Sequence, residues 1–502
     1  MRITNNMITS NTKVNINGNK TNLNTLNNQM SSQKKISKAS DDPVIAIRAL
    51  RLRSNLSQID QYYEKNIPDA ESWLDVTETA LTNMKKVLTD IHTKCVNAAT
   101  GTLSADDRST LLTQLKALGE QVYSEGDADY AGRTVFTGYK TNSTLTFQTN
   151  STDTYNISEY LSASEMEEFT YSYGTVKAPT TADVAAQTPA ADPGTKTVQR
   201  LRLAYDGITD ITANQISYSY KDNTGTTQTQ NLAVTTTTTE ALEASQYTVG
   251  DDEVLFNKDT GEFLIGKNVA ATLNSTGAAV TVNYNKTGFD KGDIKPENYY
   301  DCTNNTDAAK PIVYTNYKDG KMIDQNIDYT IAGNQTLTIN TQAKDVFDSD
   351  IARDVDELTN AVQAAVTAHS TVDEITAMMK ESQYSSKEDQ AYLQGCLDAA
   401  GKQADYADNN LKNLFSKGIT SFDGYMADVN VALTDVGSKG QRLDITKNRM
   451  SNQQATVQAL KSDNEDRDLS DIVIDYTSSY TAYQASLQAA AKIEKQTLLD
   501  YI

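Results

Sequence analysis

Histidine and cysteine are scarce in this chain, which has two histidines and three cysteines among its 502 residues. Three cysteines that lie far apart form neither a disulfide framework nor a metal-ligand spacing, and two histidines are too few for a histidine-rich metal centre. The sequence also has no glycine-rich phosphate loop and no H-E-x-x-H spacing. We therefore predict no catalytic site, no metal site and no bound cofactor, and an enzyme is the least favoured class.

Long apolar runs and excess positive charge are also missing. No apolar run approaches the ~20 residues that a membrane-spanning helix needs. Asp and Glu outnumber Lys and Arg by 66 to 45, which gives a formal net charge of −21. Because such an acidic surface repels phosphate backbones and anionic lipid headgroups, nucleic acid and membranes are not expected partners. The N-terminus also lacks the basic start and apolar segment of a secretory signal peptide.

Helical periodicity dominates both ends of the chain. Steps of three and four residues, as in a coiled-coil seam, join Leu74, Thr77, Leu81, Met84, Leu88, Ile91, Cys95 and Ala98. A second seam contains Phe422, Met426, Val429, Leu433, Val436, Leu443, Met450, Val457 and Leu460. The two seams predict an intramolecular helix bundle. We expect Pro68 to kink or break the helix before the first seam.

Two signals predict where helices begin. The first is Ser40-Asp41-Asp42-Pro43, in which Asp42 can accept hydrogen bonds from free backbone N–H groups. Pro43 suits the first helical position because no N–H is needed there. The second signal is a capping box that starts at Ser104.

The composition changes between residues 141 and 345, where Thr, Tyr, Val and Asn replace Leu, Ala and Lys and the apolar period falls towards two. Residues 254–265 and 328–339 each contain two short apolar runs around a glycine-containing turn, which predicts hairpins. Three prolines in residues 178–194 predict a loose linker or exposed loop. The predicted fold is mainly α with a β-rich insert: the N- and C-terminal helices pair as a coiled-coil-like bundle, and the central β domain protrudes.

The two extremities combine apolar stripes with poor helix formers. Ten asparagines occur among the first 28 residues, and asparagine side chains compete for backbone hydrogen bonds. Such helices are marginal alone. We predict that residues 1–35 and 468–502 are largely disordered in the free monomer and become helical on assembly. The predicted assembly interface consists of Leu23, Leu26, Met30, Leu469, Val473, Tyr476, Tyr480, Tyr483, Leu487, Leu498, Leu499 and Ile502.

Several short motifs, in their order and spacing, resemble one protein family. They are Met1-Arg2-Ile3-Thr4, Ser40-Asp41-Asp42-Pro43, Ser72-Trp73-Leu74, Arg133-Thr134-Val135-Phe136-Thr137-Gly138, Asn464-Glu465-Asp466-Arg467-Asp468 and Leu498-Leu499-Asp500-Tyr501. Over roughly residues 1–140 and 345–502 the chain is similar to the flagellin-like family of bacterial hook–filament junction proteins. Flagellins typically carry Ala where Pro43 stands, which favours a junction protein over a filament subunit.

The resemblance implies a structural, non-enzymatic subunit that joins hook to filament and leaves the cell by flagellar type III export, without a cleaved signal peptide. It implies three nested domains: residues 1–40 with 464–502, residues 41–140 with 346–463, and the insert at 141–345. The implied partners are further copies in a ring, another hook-associated protein, flagellin and a cytoplasmic export chaperone. Flagellin itself, or a filament protein with an adhesive insert, remains the alternative.

Overall fold

The computed structural model describes residues 5–100, 104–222, 224–318 and 320–495. The chain forms two compact units. The first comprises Met1–Glu71, Tyr329–Leu337 and Gly440–Ile502, and the second comprises Ser72–Asp328 and Thr338–Lys439. The division into three nested domains stays a prediction.

Long α-helices occupy both ends of the described chain, and short ones lie in its middle. They are α1 (Asn5–Ser32), α2 (Pro43–Asp60), α3 (Ile67–Thr100), α4 (Ala105–Val122), α5 (Thr181–Ala186), α6 (Thr239–Ala244), α7 (Lys267–Thr276), α8 (Asp350–Met378), α9 (Lys387–Glu465) and α10 (Leu469–Lys495).

The predicted break at Pro68 is wrong, because the chain stays helical there. Residues Gln61–Asn66 form a π-helical turn between α2 and α3, and the Ile67 N–H donates to the Tyr62 carbonyl five residues earlier. Proline lacks an N–H for the regular α-helical ladder. One wider turn accommodates that loss without ending the helix.

Both predicted helix starts are confirmed. The Asp42 carboxylate accepts hydrogen bonds from the backbone N–H groups of Val44 (2.9 Å) and Ile45 (3.2 Å), and Pro43 is the first residue of α2. Asp41 accepts from two backbone N–H groups of the preceding turn, which contains Ser40. At α4, Ser104 and Asp107 form the capping box.

The strands lie in the middle of the chain. They are β1 (Asp129–Tyr130), β2 (Arg133–Thr134), β3 (Ser151–Ser162), β4 (Glu167–Tyr173), β5 (Gly194–Arg202), β6 (Asp210–Lys221), β7 (Thr227–Asn231), β8 (Thr235–Thr237), β9 (Val254–Asn257), β10 (Glu262–Ile265), β11 (Ala279–Phe289), β12 (Asp301–Asn304), β13 (Ile312–Tyr314), β14 (Tyr317–Lys318), β15 (Lys321–Met322), β16 (Asp328–Ala332) and β17 (Gln335–Thr338).

Most of these strands belong to two sheets. One sheet has the order β4-β5-β10-β9-β8 and the other the order β13-β12-β3-β11-β6-β7. Neighbouring strands in both sheets run antiparallel, except that β8 is parallel to β9. The hairpins β9–β10 and β16–β17 confirm the two predicted hairpins. The predicted class, mainly α with a β-rich insert, is confirmed.

The first predicted seam forms part of the core of the second unit. Every seam residue from Leu74 to Ala98 is buried. Trp73, the single tryptophan, is also buried and makes an edge contact with the Tyr130 ring, with the Arg133 guanidinium over its face. The motifs that contain Trp73 and Arg133 therefore contribute to the packing of the core of the second unit.

The second predicted seam ends earlier than expected. Leu443 and Met450 of α9 are buried, but Leu460 is exposed, so its assignment to the seam is wrong. A straight α-helix drifts by about 20° per heptad relative to a strict seven-residue repeat. After two heptads and a further three-residue step, Leu460 has rotated away from the buried side.

The predicted loose linker at residues 178–194 is partly ordered, so that interpretation is wrong for its centre. Residues 181–186 form α5, and Thr180 caps this helix. Val184 of α5 is buried in an apolar cluster with Ile375, Leu393 and Cys396. Because only one apolar residue of this helix is buried, the sequence has no apolar periodicity there that would have predicted α5.

A buried charge network joins the five-stranded sheet to α8 and α9 within the second unit. The Arg200 guanidinium of β5 is almost fully buried and lies 2.8 Å from Glu262 of β10 and 2.6 Å from Glu357 of α8. It also pairs with Glu167 of β4, which in turn pairs with Lys417 of α9. A buried arginine needs carboxylate partners of this kind to offset the loss of hydration.

Candidate assembly interface

Helices α1 and α10 of the first unit form a pair. One side of α1 is shielded from solvent at every third or fourth residue, and the residues that line it are Thr9, Thr12, Ile16, Asn19, Leu23, Leu26 and Met30. This spacing is the coiled-coil pattern. Leu26 is the buried member, and the others of this set are half-buried.

Helix α10 presents a matching side to α1. Its shielded residues are Ile472, Tyr476, Ser479, Tyr483, Ser486 and Ala490. Ile472 is fully buried, and the Asn19 side-chain amide of α1 donates to the Ser486 hydroxyl at 2.8 Å. Serine and alanine at these positions contribute little apolar area, so the α1–α10 pair has a thin core.

Hydrogen bonds between the chain segments after α1 and before α10 fix the base of the pair. Lys34 and Asp466 form an antiparallel bridge, and their side chains make an ion pair. The Arg467 guanidinium donates to the Gln29 side-chain carbonyl at 2.6 Å, and its backbone N–H donates to Gln33 at 3.0 Å. These contacts set the register at which α1 meets α10.

Helix α2 is tied to the same place through Glu465. The Arg53 guanidinium binds the Glu465 carboxylate with two parallel hydrogen bonds of 2.8 and 2.6 Å. This bidentate contact holds the pKa of Glu465 below its usual value. The Asn464 side chain also donates to the Ile45 carbonyl at 3.1 Å. The motif at residues 464–468 therefore joins α1, α2 and α10.

The predicted interface residues fall on two different sides of the helix pair. Leu23, Leu26, Met30, Tyr476 and Tyr483 lie on the shielded sides. The other predicted members that the structure describes form an exposed stripe along α10, with 42–45% of each residue exposed; they are Leu469, Val473, Tyr480 and Leu487. Leu498, Leu499 and Ile502 lie outside the described residues. The predicted stripe on α10 therefore combines residues of the shielded side with residues of the exposed side, and its role in assembly stays a prediction.

Sequence reasoning missed Ile472, Ser479, Ser486 and Ala490 on the shielded side. A search for large apolar residues passes over serine and alanine, although the spacing from Ile472 to Ala490 alternates strictly between four and three. The exposed stripe consists of larger side chains than these. An apolar stripe left uncovered beside a thin core is typical of a surface that meets another protein.

Within the described residues, no cluster of three or more His, Cys, Asp or Glu side chains is placed to hold a metal ion. None of the helices in this part of the chain has the length and hydrophobicity required to span a bilayer.

Two protein-family models match the two ends of the chain. Residues 3–141 match the model of the bacterial flagellin N-terminal helical region, and residues 419–502 match that of the bacterial flagellin C-terminal helical region. Both ends of the chain are therefore similar to the terminal helical regions of flagellin. Helix α1 lies within the first matched region, and helix α10 lies within the second.

Two curated relatives carry the name flagellar hook-associated protein 3. The chain is 34% identical to the Salmonella typhimurium protein over 117 residues, or 23% of this chain and 37% of that protein. It is 34% identical to the Escherichia coli protein over 114 residues, or 22% of this chain and 36% of that protein. The matches span about a third of these relatives' length. The predicted resemblance to a hook-associated protein of the flagellin-like family is confirmed.

Solved structures of flagellar proteins also resemble the chain. A putative flagellar hook-associated protein from Vibrio parahaemolyticus shares 14% identity at a TM-score of 0.35, covering 85% of this chain and 100% of that one. The flagellar junction protein FlgL from Legionella pneumophila shares 12% identity at a TM-score of 0.30, and the match covers 83% of this chain and 99% of that one.

Proposed function

We propose that the chain is a structural subunit of the bacterial flagellum that joins the hook to the filament. The observation that carries the proposal is the exposed stripe of Leu469, Val473, Tyr480 and Leu487 on a flagellin-type terminal helix. An apolar stripe of this kind is buried only when another molecule covers it. The names of the curated relatives support a place among hook-associated proteins.

Assembly would complete the core that the α1–α10 pair lacks. Ordering a helix costs about 1–2 kcal/mol of backbone entropy per residue. Full burial of a large apolar side chain contributes about 1.5–3 kcal/mol. The shielded sides of α1 and α10 contain few such side chains. The exposed stripe must therefore provide the remaining stabilisation by packing against neighbouring subunits. Assembly and helix stability are then coupled, so the α1–α10 pair is only marginally stable in the free monomer and becomes stable in the assembly.

The proposed partners follow from this position. Further copies form a ring, another hook-associated protein lies on the hook side and flagellin on the filament side. A chaperone covers the C-terminal helix in the cytoplasm before export. In this proposal residues 1–40 and 464–502 form the axial domain, and Leu498, Leu499 and Ile502 extend its apolar contacts. The insert at 141–345 forms a separate outer domain.

Gold labelling of intact flagella tests the proposal. An epitope inserted in the exposed loop at residues 306–310, between β12 and β13, leaves both flagellin-type regions unchanged. We expect label confined to the boundary between hook and filament. The second candidate is a filament subunit, since the matched helical regions are those of flagellin. Label along the whole filament would select that candidate and reject the junction.

A further inference from the structure

The N-terminal part of the chain has a charge opposite to that of the whole. No Asp or Glu occurs before Asp41, whereas residues 1–40 contain one arginine and five lysines. Helix α2 adds three arginines against a single Asp60. Because the chain as a whole carries −21, this basic segment is attracted to the acidic surfaces of other copies.

Helix α2 has one covered side and one exposed apolar side. Ala49 is buried and Leu56 is half-buried on the covered side. On the opposite side Val44, Ile47 and Leu50 are 55–65% exposed. Residues separated by three positions are neighbours on a helix surface, so these three side chains form one patch.

Two arginines flank this patch without a carboxylate partner among the described residues. They are Arg48 and Arg51, whereas Arg53 on the covered side is occupied by Glu465. An apolar centre with a charged rim is the usual anatomy of a protein–protein interface. The patch therefore fits an acidic surface that has an apolar centre of its own.

Helix α9 carries such a surface. Val431 is 69% exposed, and its neighbours on the helix surface are Asp428 and Asp435, three residues before and four after it. The exposed Asp435 pairs with the mostly buried Lys439, while Asp428 makes no ion pair in the described part of the chain. Gly424 lies on the same side of α9. Because it has no side chain, a second helix can approach closely there.

We propose that the exposed side of α2 in one copy docks on the Asp428–Val431–Asp435 side of α9 in the next copy. Arg48 and Arg51 then face the two aspartates, and Val431 packs among the apolar residues of α2. This inference rests on the proposed function and names surfaces through which neighbouring copies meet. The two surfaces differ, so a bound pair still offers one free surface of each kind, and the contact propagates into a ring or a helix.

Disulfide trapping tests the contact in the full chain. The native cysteines Cys95, Cys302 and Cys396 are buried, so an introduced surface cysteine is the reactive one. One tagged copy carries Leu50→Cys and a differently tagged copy carries Val431→Cys, produced together in flagellated cells. Mild oxidation should yield a species of twice the chain mass that contains both tags. Replacing Leu50→Cys by Tyr139→Cys, which is equally exposed, should yield none.

Charge reversal tests the register. Arg48→Glu with Arg51→Glu should lower the yield of the cross-linked species about tenfold, and so should Asp428→Lys with Asp435→Lys. Combining both sets in one chain should restore the yield, because opposite charges face each other again. Trp73 fluorescence verifies that each variant is folded in the second unit.

Three results would each overturn the inference. The first is that Leu50→Cys and Val431→Cys yield no cross-linked species with both tags, and the second is that the Tyr139→Cys control cross-links equally well. The third is that a folded variant with both charge reversals does not recover the yield. A failed inference leaves the gold label at the hook–filament boundary unchanged. A failed proposed function moves or removes that label, so the two failures are distinguishable.

Discussion

Val473→Asp is expected to abolish filament attachment while leaving the isolated chain as stable as before. Val473 lies in the exposed stripe of α10, so an aspartate there remains hydrated in the monomer. Surface substitutions of this kind usually change the free energy of unfolding by less than about 0.5 kcal/mol. In the assembly the same carboxylate would be buried among apolar side chains without a partner, which is strongly unfavourable.

The neighbouring residue provides the matched control. Ile472 is fully buried against α1, so Ile472→Asp should separate the α1–α10 pair in the monomer itself. The combined loss of apolar burial and gain of a buried charge is above about 3 kcal/mol. Circular dichroism of the purified chain and counts of attached filaments measure the two effects. Normal attachment with Val473→Asp, or equal loss of helix in both variants, would contradict the assignment of the two sides.

Arg200→Met is expected to destabilise the second unit by about 3–5 kcal/mol. The substitution leaves the carboxylates of Glu167, Glu262 and Glu357 close together without their shared cation. Urea unfolding followed by the fluorescence of Trp73 reports on this unit, since Trp73 is its single tryptophan and is buried there.

The exposed ion pair between Lys402 and Asp192 supplies the control for Arg200. Lys402→Met should change the free energy of unfolding by less than about 1 kcal/mol, because exposed pairs contribute little. If Arg200→Met had an equally small effect, the buried network would not hold the sheet to the helices.

Acid pH should reproduce part of the Arg200 effect. Burial opposes the charge on Glu167, but Arg200 and Lys417 outweigh burial and hold the pKa of Glu167 below its usual value. A lowered pKa in the folded state stabilises the protein above the ordinary carboxyl pKa, and this stabilisation is lost as the pH falls through the lowered value. The difference in unfolding free energy between the wild type and Arg200→Met should therefore shrink in acid.

Sequence patterns predicted the parts of the fold in which local spacing decides the structure. The seam from Leu74 to Ala98 is buried as predicted, because large apolar side chains recur there without interruption. On α10 the same reasoning combined residues of the shielded and the exposed sides, since it passed over Ser479 and Ser486 on the shielded side. Which side of α10 is covered depends on the partner helix. Asn19 of α1, for example, donates a hydrogen bond to Ser486 of α10.

The arrangement of the insert could not be predicted from the sequence. Strand β5 pairs with β10 about 60 residues later, and no local pattern specifies such a partner. Arg200 gives no sequence signal either, because its three carboxylate partners come from two other strands and from α8. The motif at residues 464–468 contributes to the family resemblance, but its role in joining α1, α2 and α10 depends on contacts with residues more than 400 positions away.

Hydrogen exchange of α10, compared between the free chain and the chain in assembled flagella, is the most direct test of the central claim. That claim is that the exposed stripe of Leu469, Val473, Tyr480 and Leu487 is covered only by other molecules. The account predicts fast exchange of the α10 backbone amides in the dilute monomer and exchange slowed about a hundredfold or more in the assembly. Equally slow exchange in both states would contradict it.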